Sequence, residues 1–307
     1  MKKRIVILLL CMAIMAILPL IAMKKAVNQP ERHTENARNE FRILDTSSNQ
    51  IVSIDEREFC IGAVGYEMPS DFQKEALKAQ CIACYTYFSE MRQNSDKEYD
   101  FSADLSKNQF YIKDLPDESR KKISQAVDEV FGKVLTDDKG NIIKVAYHAI
   151  SSGQTESAKD IFGFESDYLQ PVSSAGDVNV SGYLSQKEIS VKRFKEIMLS
   201  KNIQLDGEPD TWIGDMERTQ SGTVKLIQIG DKTISGADIR EMFSLRSANF
   251  DVSYSNNKFI LLVYGYGHGV GMSQYGAESM AKQGAGCEEI LHHYYGNCNI
   301  QKIDSQI

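Results

Sequence analysis

The sequence predicts a mixed α/β fold: an α+β core interrupted by a small inserted α/β subdomain, carried behind a single N-terminal transmembrane helix. Three observations lead there. Residues 5–23 form an apolar run free of charge between Lys2-Lys3-Arg4 and Lys24-Lys25. Beyond residue 50, helix-period apolar stripes alternate with short β-prone runs, a mixture that requires helices and sheets packed in layers. Residues 183–246 repeat that mixture on a smaller scale without a cluster of chemically active side chains. With 307 residues, 42% of them hydrophobic, the chain has material for one good core and a second small one.

The apolar run is just long enough to cross a hydrocarbon core, and the positive cluster before it predicts a cytoplasmic N-terminus with the remainder outside. No small-x-small site closes the run, so residues 1–25 read as a retained anchor rather than a cleaved signal. Residues 26–50 are polar without an apolar period and read as a tether.

The catalytic core is expected over 51–182 and 247–307. Asp55 followed by Glu58 resembles a capping box, opening a short helix with Phe59, Ala63 and Val64 inward. Met68-Pro69 ends it, because proline disfavours the helical region for its predecessor. Ser70 with Gln73 then reads as the cap of a long helix to about Arg92. Glu67 stands in the elbow between the two, where a fixed carboxylate can serve as acid or base. Leu77, Cys81, Cys84, Phe88 and Met91 repeat at helical spacing, so the Cys81–Cys84 pair reads as packing rather than redox or zinc chemistry. Residues 104–111 are irregular, and a third helix follows on Ile123, Ala126, Val127 and Val130. Residues 133–136 and 142–148 around Asp137-Asp138-Lys139-Gly140-Asn141 predict a hairpin delivering His148 and the polar loop 151–156.

In the insert, Ser190 caps a helix bearing Phe194, Ile197 and Met198, and strands 223–229 and 232–235 turn at Gly230-Asp231. The chain returns through an apolar strand, 259–264, which feeds a stretch with glycine at 265, 267, 269, 271 and 276 around His268. Alternate glycines let backbone approach a ligand closely, and Ser273, Gln274 and Tyr275 offer a hydroxyl, an amide and a phenol suited to a neutral sugar polymer. A short amphipathic helix on Ile290, Leu291, Tyr294 and Tyr295 closes the fold, with His292 and His293 on its surface or in local packing.

Residues 267–277 read GHGVGMSQYGA, and 67–80 read EMPSDFQKEALKAQ. Both strings resemble hallmarks of the stage II sporulation protein D family, and the resemblance spans about residues 51–300. It implies a lytic transglycosylase that cuts the β-1,4 bond between N-acetylmuramic acid and N-acetylglucosamine in peptide-stripped glycan strands during engulfment. Glu67 would be catalytic, since the sugar's own C6 hydroxyl replaces the second carboxylate of a hydrolase. The expected substrate contacts are Gln109, Tyr111, Ser152, Gly153, Thr155, His268, Ser273, Gln274 and Tyr275. The resemblance also implies an amidase or endopeptidase partner, a membrane partner in the engulfment complex, and a place in the mother-cell membrane. The alternative is a non-catalytic peptidoglycan-binding module that stimulates a partner amidase.

Two departures from the family stand out. Members often carry Cys-Asp-x-x-His-Cys-Gln where this chain has Ala103, Lys107 and Asn108 at the Cys and His positions, so no structural zinc and no cofactor are expected. Members commonly have arginine where this chain has Tyr85, which bears on how the glycan is positioned. A net charge of −7 argues against nucleic acid as a partner. Cys287 and Cys298 could pair in an oxidising compartment.

Overall fold

The structure, a computed structural model, describes residues 39–303, so the anchor and the first part of the tether lie outside the described residues. Among the described residues no helix is long and apolar enough to cross a membrane. The described chain opens on a strand, β1 (Glu40–Asp45), inside the stretch read as tether. Phe41 and Ile43 alternate with half-buried neighbours and are themselves fully buried, a period too short to stand out among polar residues. β1 pairs antiparallel with β2 (Gln50–Asp55) and parallel with β3 (Phe101–Ala103). The run 46–49 is their turn: the Asp45 carboxylate accepts the Ser47 and Ser48 hydroxyls at 2.6–2.9 Å.

Two helices pack on that sheet, and a third packs on the two helices. Asp55 caps α1 (Glu56–Glu67) by accepting the Glu58 N–H at 3.0 Å, which is half of the expected box; the Glu58 carboxylate goes instead to Arg57 and Arg120. In α2 (Lys74–Gln93) the predicted stripe is inward, and in α3 (Asp117–Val130) Ile123, Ala126, Val127 and Val130 are buried as expected. Phe41, Phe59, Phe88 and Phe101 meet edge-on or tilted at the centre, Phe59 and Phe88 at 4.7 Å between centroids.

The start of α2 differs from the sequence expectation. Gln73 is the cap residue but makes no side-chain bond, and the Ser70 hydroxyl turns to Ser119. The Gln73 N–H is taken at 2.6 Å by Glu278 of α7 (Gln274–Lys282), and Glu75 of α2 accepts the first N–H of α8 (Cys287–Tyr295) at 2.8 Å. Carboxylates 200 residues away in sequence thus do what local Ser or Asp residues usually do. Glu278→Ala is expected to cost about 1–2 kcal/mol, since it leaves that N–H unpaired; a chemical-denaturation midpoint that does not move would contradict this.

The expected hairpin at 133–148 is only a tight turn. Asp137 accepts the Lys139 and Asn141 N–H groups, but past the single Thr136–Ile142 bridge the two arms part. β4 (Lys133–Thr136) pairs with β13 (Asn299–Lys302), and β5 (Tyr147–His148) pairs in parallel with β12 (Met272–Ser273). Long-range partners outcompete the hairpin because Val134, Leu135, Ile143 and Val145 all point into one core.

The second hydrophobic cluster draws on residues 189–263, and so includes strands that the sequence assigns to the returning core. β6 (Leu184–Ser190) lies against β11 (Lys258–Tyr264), which turns back onto β10 (Phe250–Ser255). Phe259, Leu261 and Val263 alternate inward, and Phe259 stacks at 4.1 Å on Phe194 of α5 (Val191–Ser200), the helix that follows the short α4 (Ala158–Phe162). Ser190 caps α5 as expected. A second sheet, β7 (Ile213–Arg218), β8 (Val224–Ile229) and β9 (Lys232–Ser235), precedes α6 (Gly236–Met242). The five cysteines among the described residues are buried free thiols, Cys287 and Cys298 included.

Candidate active site

Glu67 is the last residue of α1, held at the elbow by the extended Met68 and by Pro69. Its Oε2 accepts the Gln274 side-chain amide at 3.2 Å. Gln274 is delivered by a short parallel pairing in which Met272 faces Tyr147 and Ser273 faces His148. Tyr147 lines the same cleft as Glu67, and its hydroxyl lies 3.5 Å from the Cys84 thiol. Two segments distant in sequence therefore converge on one carboxylate.

The glycine stretch makes this convergence possible, though differently from the sequence expectation. Its glycines interlock with residues 146–156, and Gly267 and Gly269 also line a cavity that Glu67 does not line. At Gly271, with φ of +70°, a Cβ would lie 2.0 Å from the Ala146 carbonyl oxygen; at Gly267 it would lie 2.6 Å from the His148 Cβ. Only glycine lets the strands close to pairing distance there.

Glu67 opens into a cleft of about 610 Å³ whose other walls are mainly aromatic and apolar: Tyr87, Phe110, Tyr147, Phe162, Phe164 and Leu169. His268 and residues 144–146 complete it. Phe162 is 44% exposed and stacks on Phe164, a flat apolar platform of the kind a pyranose face can cover. Glu67 is the single carboxylate among these lining residues.

Burial raises the Glu67 pKa, and the Gln274 amide and Tyr147 hydroxyl offset part of that rise. A carboxyl so placed holds a proton closer to neutrality than an exposed glutamate. His268 behaves oppositely. Burial, with the nearby Arg240 charge, lowers its pKa to about 4. Its Nδ1 accepts the Val270 N–H at 3.0 Å. His268 is thus a neutral imidazole engaged by backbone, which suits a fixed wall better than a general base or metal ligand.

The family model for a stage II sporulation protein matches residues 45–136. Stage II sporulation protein D of Bacillus amyloliquefaciens is 35% identical over 276 residues, covering 86% of this chain and 79% of that protein. The chain belongs to the stage II sporulation protein D family. The Bacillus subtilis (strain 168) member is 32% identical over 282 residues, with the same coverage of each chain. The amidase enhancer of Bacillus subtilis (strain 168) is 25% identical over 284 residues, covering 76% of this chain and 39% of that protein.

Within this family member, the residue read as catalytic and those read as substrate contacts separate into groups. Glu67 and His268 line the cleft, and Gln274 binds Glu67. Ser273 is fully buried as the cap of α7, accepting the Gly276 N–H, and Thr155 is fully buried between residues 170 and 172. Tyr275 packs edge-on against Phe72, and Tyr111 stacks on Phe59 over Gly62. Gln109 folds back to accept the Asp104 N–H. Ser152 bonds the Ser221 carbonyl and lines a different cavity, and the Gly153 carbonyl accepts the Ser174 N–H.

Sequence reasoning missed Tyr87, Phe110, Lys144, Tyr147, Phe162, Phe164 and Leu169 as cleft residues. Tyr147 was within reach, since it immediately precedes His148 on the strand already singled out. Tyr85 is not in the cleft. Its hydroxyl reaches the buried Glu56 at 2.5 Å, beside Arg92 at 2.7 Å from the same carboxylate. In this chain the position-85 side chain is buried in the core and is not among the residues that line the cleft at Glu67.

Proposed function

We propose that the chain is a lytic transglycosylase of peptidoglycan, with Glu67 its acid and base. The observation that carries this reading is one carboxylate with a raised pKa at the floor of an aromatic cleft. Hydrolytic glycosidases generally use a pair of carboxylates flanking the bond. A lone carboxyl suffices when the nucleophile belongs to the substrate. Protonated Glu67 gives its proton to the glycosidic oxygen as the C1–O bond breaks. The C6 hydroxyl of the same muramic acid unit closes onto C1 and returns a proton to Glu67, leaving a 1,6-anhydro end and a regenerated acid. Gln274 holds the carboxylate, and the aromatic walls take the sugar faces and limit water.

The substrate is a glycan strand already stripped of stem peptides, and an amidase is the expected partner. The setting is the outer face of the mother-cell membrane during engulfment, with residues 1–25 as the anchor. Purified full-length chain incubated with peptide-free strands should shorten them, as size-exclusion chromatography would report. Strands that stay intact while remaining bound would favour a second reading, a binding module that stimulates an amidase. The similarity to a protein named amidase enhancer favours that alternative.

Because the reaction starts from protonated Glu67, cleavage should fall as pH rises through its raised pKa. Gln274→Ala removes a hydrogen bond that favours the ionised form, so the pKa rises further. The alkaline limb of the pH–rate profile is expected to move to higher pH; a shift to lower pH would contradict this placement of Gln274.

A further inference from the structure

A second cavity, of about 370 Å³, lies between the glycine stretch and α6, and His268 forms part of the wall of both cavities. Its size falls within the usual range of small-molecule sites, roughly 300–1,000 Å³. The lining is rich in neutral donors and acceptors, including Ser152, Gln154, Ser247 and Asn249. Its charged groups are unequal. Lys225 is paired with Asp160 at 3.3 Å and with Glu217 at 3.7 Å. The carboxyl of Glu156 is 2% exposed and accepts the Thr219 hydroxyl at 2.8 Å and the Thr223 N–H at 3.3 Å. Arg240 is different: its Nε donates to the Leu245 carbonyl at 3.4 Å, and among the described residues its terminal amino groups have no partner and it makes no ion pair.

A half-buried guanidinium with its fork unoccupied favours a planar, bidentate acceptor. The Ser152 and Ser247 hydroxyls and the Asn249 amide donate to backbone carbonyls, so they face a ligand as acceptors, and with the Gln154 side chain they suit the hydroxyl donors of a sugar. We propose that this cavity is an acidic-sugar subsite in which Arg240 takes the free lactyl carboxylate of a muramic acid unit from the strand bound at Glu67. This rests on the proposed function for the choice of polymer. It makes strand recognition depend on prior peptide removal. In an intact strand the lactyl group is an uncharged amide extended by a peptide; amide hydrolysis leaves the carboxylate that a cationic fork recognises. The reaction that must supply this substrate is therefore an amidase.

The test is calorimetric titration of the full-length chain in detergent with N-acetylmuramic acid, its methyl amide, and N-acetylglucosamine. The native chain is expected to favour the acid over the amide by about tenfold or more, the range of a charge-assisted pair. Arg240→Ala should abolish that preference and leave N-acetylglucosamine binding unchanged, and Arg240→Lys should keep part of it; thermal melts of both variants establish that they fold. A native chain that does not distinguish acid from amide, by binding both alike or neither, overturns the proposal, as does a preference that survives in a folded Arg240→Ala. Because the readout is binding, a chain that prefers the acid yet cleaves no strand would retain the subsite and lose only the catalytic reading.

Discussion

Glu67→Gln is expected to lower strand cleavage by on the order of a thousandfold, the usual worth of a positioned general acid, while strand binding stays near native. Glutamine fills the same volume and keeps an oxygen for Gln274, but it has no proton to give to a departing sugar oxygen. The substitution should not destabilise the fold. The Glu67 pKa is raised by burial, so the folded state favours the protonated form and loses stability as pH rises through that pKa and the carboxyl ionises. A neutral amide is free of that penalty, and the variant should melt at or above the native temperature near pH 7. Cleavage at a native rate in a folded Glu67→Gln would remove Glu67 from the chemistry.

Gly271→Ala is expected to destabilise the chain by about 3 kcal/mol or more and to abolish cleavage with it. Two costs combine. The backbone is left-handed there, and the new Cβ would lie 2.0 Å from the Ala146 oxygen, a backbone atom that cannot swing aside as a side chain can, with the Leu169 side chain at 3.3 Å. The pairing pushed apart is the one that brings Tyr147 and Gln274 to Glu67. Gly284→Ala is the control. Its φ of +96° is also left-handed, but nothing lies within 4 Å of the added Cβ, so only the conformational cost of about 1–2 kcal/mol applies. Equal denaturation midpoints for the two variants would mean that the close approach at Gly271 carries no weight.

Much of this architecture was legible in the sequence, because local rules happen to hold where it is regular. Asp55 and Ser190 cap the helices they precede, and the buried faces of α2, α3 and α8 follow their apolar period. The misses have physical causes. Ser273 reads as a ligand group beside Gln274 and Tyr275, but it is a helix cap, and α7 starts at Gln274. Strand β10 is announced by Asn256-Asn257, both with positive φ, a two-residue turn signal next to a run with little apolar character. The capping of α2 by Glu278 leaves no local trace at all.

The cleft was legible only at its carboxylate. Glu67 stands out because a helix ends against Met68-Pro69 and because the surrounding string resembles a family hallmark. Its walls come from separate stretches near residues 87, 110, 145, 162 and 169, each an aromatic or apolar residue that would serve equally well in a core. Only tertiary packing decides which of them face the cleft. The glycines were legible as necessary, but their purpose was not: they admit residues 146–156 of the chain itself.

The most direct test of the central claim is to let the native chain act on peptide-free strands in heavy-oxygen water and read the new ends by mass spectrometry. A single acid/base that uses the substrate's C6 hydroxyl predicts muramic acid ends one water lighter than a reducing end and free of heavy oxygen. New reducing ends that carry heavy oxygen would mean that water is the nucleophile, and the one-carboxylate account of Glu67 would not stand.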